Sequence, residues 1–263
     1  MQEKTYWREM GQGPRKVLAL HCTMAHSGAW RGLSECLGDG FTVLAPDMIG
    51  HGRSSDYDGE SCTGSLVYEA ILDRIDAPVD VVAHSFGAVV ALRFAVAHPE
   101  LVRSLVLYEP VFFALAMELD VAEFAGHDAQ IEEIRARIAR GDNEGAARLF
   151  MADWGDGTPW AALPEQVRGG FAKRIPFVIG SQNYVAFDTP GTMPRLGEIT
   201  APTVVMDGAQ SPKVIGVVCD TLGRRIPGAR RVTVEGAGHM GAISRPDALA
   251  AELLRLSEAD EAV

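Results

Sequence analysis

The feature that most constrains the fold is the run of residues 79–90. Its first half is short, mostly apolar and β-branched, Ser85 follows with a small residue two positions away on either side, and its second half favours a helix. This order predicts a strand, a sharp turn and a helix, with Ser85 at the apex of the turn. Ala83 and Gly87 suit that turn, because the backbone is forced together there and leaves little room for side chains. A serine in this position would present its hydroxyl at the edge of a sheet, beside a helix N-terminus that favours developing negative charge.

Strand-like and helix-like segments alternate along most of the chain. Short apolar segments predict strands at residues 5–9, 16–21, 41–46, 79–84, 103–108, 202–207 and 230–235. Helix-like segments lie at residues 61–75, 86–97, 128–140, 144–154 and 246–256. Strands separated by helices indicate an α/β fold, in which a mostly parallel sheet is covered on both faces.

One segment, residues 113–194, breaks this alternation because its pattern is helical, irregular and rich in aromatic residues. We expect it to form a helical cap, or lid, on a core made of residues 1–112 and 195–263. Segments inserted over a rigid sheet commonly carry specificity, so Trp154 and Trp160 are candidates for binding substrate in an apolar pocket. A small helical core inside the segment is the simpler interpretation, and the two are compatible.

The charge and cysteine content restrict the class of protein. The chain has 35 acidic and 24 basic residues and a formal net charge of -11, which argues against a nucleic-acid partner. Its first residues do not resemble a secretion signal, and no apolar run approaches the roughly 20 residues that span a bilayer. Four cysteines without a CxxC pair indicate reduced thiols. We therefore expect a cytoplasmic protein, a monomer or homodimer, that acts on a small molecule without a membrane partner or a cofactor.

Four motifs in order resemble those of the α/β-hydrolase family. Residues 20–30 are similar to the family's His-Gly oxyanion loop, and residues 47–54 to its Asp-x-x-Gly-x-Gly-x-Ser turn. Residues 83–87 resemble the nucleophile elbow G-x-S-x-G, with Ala83 for the first glycine. Residues 236–240 look like the loop that carries the catalytic histidine. The resemblance implies a mostly parallel sheet of about eight strands, with helices on both faces and an inserted helical cap.

The resemblance also implies that Ser85 is a nucleophile and His239 its base. A serine hydroxyl is a poor nucleophile at neutral pH, so a base must remove its proton during attack. A histidine suits that role, because its pKa is near the working pH and it can return the proton to the leaving group. The alternative for His239 is an ordinary loop histidine at the surface. A metal site at His21 and His26 is not expected, because no third ligand accompanies them.

In the same family, two backbone N–H groups hold the negative charge that develops on a substrate oxygen. The matching positions in this chain are Phe86 and Thr23. Cys22 replaces the usual glycine of the early loop, so Met24 is an alternative to Thr23 as the donor. Met24 is also a candidate substrate-binding residue.

The acid that would orient His239 departs from the family's commonest pattern. That acid is usually an Asp about three residues beyond a glycine in the loop after the next-to-last strand, where this chain has Ser211. Glu109 directly follows a predicted strand, at a position that haloalkane dehalogenases of this family use for the acid. Asp207 lies at the end of the usual strand, one residue before the glycine. We favour Glu109, with Asp207 as the alternative and a chain without an orienting acid as the third possibility.

The resemblance implies a serine hydrolase of a small, mostly apolar carboxylic ester, thioester or lactone, which reacts through an acyl-enzyme. Family members with the same residue types also cleave carbon–carbon bonds or make peracids, and the sequence does not separate these reactions. An alternative of another class is a ligand-binding protein of the same fold with little or no turnover. The absence of an acid at Ser211 is the feature that would favour that alternative.

Overall fold

A mostly parallel, seven-stranded sheet organises the computed structural model, which describes residues 4–261. Its strands are β1 (Trp7–Gly11), β2 (Arg15–Leu20), β3 (Phe41–Pro46), β4 (Val79–His84), β5 (Val102–Tyr108), β6 (Thr203–Gly208) and β7 (Arg230–Val234). Their order in the sheet is β1-β3-β2-β4-β5-β6-β7, and β1 alone among them runs antiparallel to its neighbour. The α/β class is confirmed, with seven described strands where about eight were expected.

The helices lie between the strands in sequence and on both faces of the sheet in space. The α-helices of the described chain are α1 (Arg31–Leu37), α2 (Thr63–Leu72), α3 (Phe86–Ala97), α4 (Ala114–Glu118), α5 (His127–Ala139), α6 (Asn143–Trp154), α7 (Glu165–Arg174), α8 (Pro176–Val185), α9 (Lys213–Arg225), α10 (Gly241–Ser244) and α11 (Pro246–Glu261).

Alternate residues of the central strands enter two separate hydrophobic cores. Val81 and Ala83 of β4 pack in the core that α2, α3 and α9 cover, whereas Val82 packs in the core under α1 and α11. Successive strand residues point to opposite faces, so a strand that is covered on both sides is expected to be mostly apolar. All of β4 is buried, which explains its apolar residues, and the buried Asp80 within it pairs with Arg15 at 2.6 Å and accepts from the Ser104 hydroxyl at 2.7 Å.

Helices α4 to α8 lie between β5 and β6 in the chain, inside the segment expected to form a cap. Ile131, Ile134 and Ala146 of α5 and α6 form a third apolar cluster, which also includes Met24 of the early loop. Phe177 and Tyr184 of α8 instead pack into the core beneath. The insertion is therefore packed on the rest of the chain at Met24 and through α8.

The predicted elements agree with the structure to within a few residues at their ends. The strands predicted at 41–46 and 79–84 and the helix predicted at 86–97 have the observed bounds. Outside the segment 113–194, helices α1, α9 and α10 were not predicted, and within it α4, α7 and α8 were not predicted individually. Within residues 4–261, no helix combines the length and the hydrophobicity that crossing a membrane requires.

Candidate active site

Ser85 lies at the apex of a strained turn between β4 and α3. Its backbone has φ 56° and ψ -120°, a region that residues other than glycine rarely adopt. The Ser85 N–H donates to the carbonyl of Tyr108 at 2.9 Å, which ties the turn to the end of β5. A Cβ atom at Gly87 would come within 2.5 Å of the Leu20 carbonyl oxygen, so the close approach of β2 requires glycine there.

His239 reaches Ser85 from the loop after β7. Its Nε2 lies 3.1 Å from the Ser85 hydroxyl oxygen, and the pair is buried. Two side chains of the core hold the backbone of this loop. Tyr108 donates its hydroxyl to the Gly238 carbonyl, and His84 donates its Nε2–H to the His239 carbonyl, both at 2.8 Å. The indole of Trp154 meets the His239 ring edge-on, with 4.9 Å between centroids.

Glu109 lies behind His239, directly after β5. Its Oε2 accepts a hydrogen bond from His239 Nδ1 at 2.8 Å, and its side chain is fully buried. Its Oε1 accepts from the Gly208 N–H at 2.8 Å and from the Ser211 hydroxyl. Because the carboxylate accepts a hydrogen bond from Nδ1–H, the proton stays on Nδ1 and the lone pair of Nε2 is available to accept the proton of the Ser85 hydroxyl.

Asp207, the alternative acid, has other partners. Its carboxylate accepts from the Arg231 guanidinium, with an N–O distance of 2.8 Å, and from the Thr233 hydroxyl at 2.8 Å. Both partners belong to β7, and Thr233 is the residue paired with Asp207 across the two strands. The structure therefore places Glu109, and not Asp207, against His239.

Thr23 and Phe86, whose backbone N–H groups are the predicted oxyanion donors, both line the cavity that contains Ser85. Within residues 4–261, the Phe86 N–H at the start of α3 and the Thr23 N–H in the early loop have no hydrogen-bond acceptor. The alternative donor, the Met24 N–H, is occupied, since it donates to His51 Nε2 at 3.2 Å. The geometry thus favours Thr23 over Met24 as the second donor.

Buried histidines hold the early loop in place. His51 donates its Nδ1–H to the Ile49 carbonyl at 2.9 Å, which leaves Nε2 to accept from Met24. His21 donates to the Cys22 carbonyl at 2.8 Å and accepts from the Met48 N–H at 3.0 Å. Burial lowers the pKa of His21 to about 4 and that of His51 well below its ordinary value. Both rings are therefore neutral at neutral pH, as this hydrogen bonding requires.

Cys22 does not offer a second nucleophile. Burial raises the pKa of its thiol to about 12, so the thiol stays protonated near neutral pH. The thiolate is the reactive form of cysteine.

A cavity of about 440 Å³ opens in front of Ser85 and His239. Its volume is in the range of small-molecule sites. Most of its wall is apolar. Helices α5 to α8 contribute Ile131, Phe150, Met151, Trp154, Phe171, Val178 and Val185, the early loop contributes Met24, and segments after β4, β5 and β7 contribute Phe86, Val111, Phe113, Met240 and Ile243. No three His, Cys, Asp or Glu side chains among residues 4–261 come together as a metal site would require.

The structure brings two of the three predicted substrate-binding residues to this cavity. Met24 and Trp154 line it, but Trp160 does not. The Trp160 ring packs near Phe171, with 6.2 Å between centroids, and its indole N–H donates to the Glu144 carboxylate at 3.3 Å. Packing between α6 and α7 therefore holds this tryptophan away from the cavity.

The cavity also contains polar residues that were not predicted from the sequence. They are His127, Gln130, Arg174, Ser181 and Gln182. Arg174 ends α7 in a stretch whose charged residues look like an ordinary solvated face. No local pattern in the sequence distinguishes it from its neighbours, so only the fold identifies it as a lining residue.

The residues around Ser85 have the arrangement needed to activate its hydroxyl. A hydroxyl, an imidazole and a carboxylate stand in hydrogen-bonded series, at 3.1 and 2.8 Å. Such a series can raise the nucleophilicity of the hydroxyl, and nearby N–H donors can hold a developing oxyanion.

Known proteins resemble this chain over nearly its whole length. Residues 17–252 match the model of the alpha/beta hydrolase family. A lipase of Mycobacterium tuberculosis, LipV, is 30% identical over 91% of this chain and 92% of its own length. A pimeloyl-[acyl-carrier protein] methyl ester esterase of Nitrosomonas europaea is 25% identical over 90% of this chain and 93% of its own.

A solved structure has the same fold. The alpha/beta hydrolase of Sphaerobacter thermophilus superposes with a TM-score of 0.73 and 25% identity, covering 96% of this chain and 95% of that one. The family model alone spans well over half of the chain. This chain therefore belongs to the alpha/beta hydrolase family and is an enzyme of that family.

Proposed function

We propose that the protein is a serine esterase that hydrolyses a small, mostly apolar carboxylic ester, thioester or lactone through an acyl-enzyme. Ser85 is the nucleophile, His239 the general base and acid, and Glu109 the carboxylate that orients His239. The observation that carries the proposal is the continuous hydrogen-bonded series from the Ser85 hydroxyl through His239 to Glu109, at the edge of an apolar cavity.

In the first half of the reaction, the Ser85 oxygen attacks the ester carbonyl while His239 Nε2 takes the hydroxyl proton. The Glu109 carboxylate stabilises the imidazolium that forms, because it is buried and accepts from Nδ1. The Phe86 and Thr23 N–H groups hold the oxyanion. When the tetrahedral intermediate collapses, His239 gives the proton to the departing alcohol, and Ser85 is left acylated.

In the second half, a water molecule attacks the acyl-enzyme with His239 again acting as base. The carbonyl oxygen develops negative charge a second time at the same two N–H groups. The Ser85 oxygen leaves with the proton from His239, which releases the carboxylic acid and restores the starting state.

The nature of the cavity supports a small, mostly apolar substrate. Much of its wall comes from α5 to α8, which supports the role of residues 113–194 as a cap that carries specificity. The names of the relatives, a lipase and a methyl ester esterase, support an ester as the bond that is cleaved.

The geometry favours an enzyme over a non-catalytic binding protein. The argument for a non-catalytic binding protein was that Ser211 stands where an acid was expected. Glu109 offers His239 a carboxylate at 2.8 Å, and Ser211 donates its hydroxyl to that same carboxylate. The unusual residue at 211 is thus consistent with a complete series of catalytic groups.

Hydrolysis of p-nitrophenyl butyrate tests the proposal. We expect Ser85→Ala to lower kcat by about 10⁴-fold or more, because no other group can form the acyl-enzyme. A fluorophosphonate should add one covalent label to the native protein and none to Ser85→Ala. Ser244→Ala, an exposed serine of α10, is the matched control and should retain native activity and labelling. Equal rates for the native protein and Ser85→Ala would refute the proposal.

A further inference from the structure

Arg174 places a guanidinium in the wall of an otherwise mostly apolar cavity. It is the last residue of α7, it is half-buried, and it lines the same cavity as Ser85 and His239. Its guanidinium lies over the face of Phe171, with 5.4 Å from the Cζ atom to the ring centroid. That ring supports the side chain where it borders the cavity.

This guanidinium has no carboxylate partner among the side chains that the structure describes. No ion pair or hydrogen bond to Arg174 is present there, and its buried Nε–H has no acceptor. The two nearest cations in sequence are different: Lys173 pairs with Asp56 at 2.6 Å, and Arg168 with Glu144 at 3.5 Å. Burial lowers the pKa of Arg174 from its ordinary value, as expected for a partly desolvated cation without a paired carboxylate.

The position of Arg174 is on the side of the cavity that faces the early loop. Its positive charge acts on the Cys22 thiol. It also contributes to the lowered pKa of His51, for which burial of the ring is the larger cause. Arg174 also lines a second cavity of about 300 Å³, whose wall includes the acidic residues Asp56 and Asp58. No Asp or Glu lines the cavity before Ser85, so an anion would meet the guanidinium from that apolar side.

We propose that Arg174 binds a carboxylate carried by the substrate, so that the preferred substrate is a monoanionic ester whose acid group lies at the end remote from the bond cleaved. This inference rests on the proposed esterase function and narrows its substrate class. A guanidinium presents parallel N–H donors that match the two oxygens of a carboxylate. The apolar remainder of the wall suits the hydrocarbon that would join the two ends of such a molecule.

A monoanion fits this site better than a dianionic phosphate. Arg174 supplies one positive charge, and the adjacent cation, Lys173, is already neutralised by Asp56. One charge balances one carboxylate, and an extra negative charge in a low-dielectric wall would be left uncompensated.

Binding to the inactive Ser85→Ala protein tests the inference without relying on turnover. The two probes are p-nitrophenyl hydrogen adipate and p-nitrophenyl isooctanoate, in which a branched alkyl end of the same shape replaces the carboxylate. Quenching of tryptophan fluorescence reports binding, because Trp154 lines the cavity. We expect Arg174→Gln, added to Ser85→Ala, to weaken adipate ester binding by about 30- to 100-fold and isooctanoate ester binding by less than about threefold.

Matched variants separate this role from a general one. Lys173→Gln removes the neighbouring surface cation and should leave both affinities unchanged. Arg174→Lys keeps the charge without the paired donors, so it should recover only part of the adipate ester affinity. If Arg174→Gln weakens both ligands equally, or neither, the inference is overturned.

The turnover arm distinguishes failure of this inference from failure of the proposed function. With Ser85 present, Arg174→Gln should lower kcat/KM for the adipate ester by a similar factor and spare the isooctanoate ester. A preference for the anion in binding, without Ser85-dependent hydrolysis of either ester, would sustain the anion site and refute the esterase. If the protein hydrolyses both esters and Arg174→Gln does not change the ratio of their kcat/KM values, the esterase function is supported and the anion site is refuted.

Discussion

The ends of β5 and β6 lie side by side and each carries an acidic residue, but the two carboxylates have different partners. Glu109 follows β5 with its backbone in the left-handed region, at φ 47°, and its side chain meets His239. Asp207 is still within β6, and its side chain meets Arg231 and Thr233 of β7. The sheet register decides this difference, because Asp207 is paired across the strands with Thr233.

The difference shows that an acid near the end of a strand is not enough to orient a catalytic histidine. Glu109 has left the strand, so the positive φ turns its side chain toward the loop after β7. Ser211, at the position where the sequence resemblance implies an acid, donates its hydroxyl to Glu109. The β6 loop thus keeps its contact with the site, while the charge comes from the end of β5.

Among variants of the two acids, the largest expected effect comes from neutralising Glu109, the acid after β5. We expect Glu109→Gln to lower kcat for a p-nitrophenyl ester by about 10³- to 10⁴-fold, because an amide neither stabilises the imidazolium nor enforces the Nδ1–H tautomer. Asp207→Asn should change kcat by less than about fivefold, since Asp207 does not contact His239. Steady-state rates of the two variants, measured beside the native protein, give the ranking. The opposite ranking would assign the role to Asp207, and equal small losses would mean that neither acid acts.

A smaller effect on kcat should follow from replacing the Glu109 carboxylate with an aspartate at position 211, in the loop after β6. Glu109→Ala removes the carboxylate, and adding Ser211→Asp supplies another from a position that now touches Glu109. We expect the double variant to be about 10- to 100-fold more active than Glu109→Ala alone, because even an imperfectly placed carboxylate favours the imidazolium. The kcat of the two variants at one pH measures the rescue. A double variant no better than Glu109→Ala would show that the β6 loop cannot bring an acid to His239.

The fold could be predicted where the signal is local. The apolar runs of β3 and β4 and the small residues around Ser85 are short-range patterns, and the structure matches them. Helix α9 has its own periodic pattern in Val214, Ile215 and Val218, which could have revealed it. The antiparallel direction of β1 depends on pairing with β3, a long-range contact that no local pattern encodes.

The site could be predicted only as far as motifs and neighbouring strands specify it. Ser85, His239 and Glu109 are adjacent in the structure, and their catalytic roles remain predictions. Trp154 and Trp160 look alike in the sequence, yet packing turns one into the cavity and the other toward Glu144. Lys173 and Arg174 differ in the same way, so side-chain direction is the information that the sequence lacks.

The last prediction concerns stability and not activity. Asp207→Asn should lower the free energy of unfolding by a small amount. The Asp207 and Arg231 side chains are 10% and 24% exposed, so their ion pair is mostly desolvated. When Asp207 loses its charge, the remaining acidic partner of Arg231 is the exposed Asp220 at 3.0 Å. We expect the free energy of unfolding to fall by about 1–2 kcal/mol, between the values typical of exposed and of fully buried pairs. Asp220→Asn, which removes the outer partner, should cost less than about 0.5 kcal/mol. Chemical denaturation of both variants measures the contrast, and a loss of activity at Asp207 without a loss of stability would contradict the structural role assigned to the β6 acid.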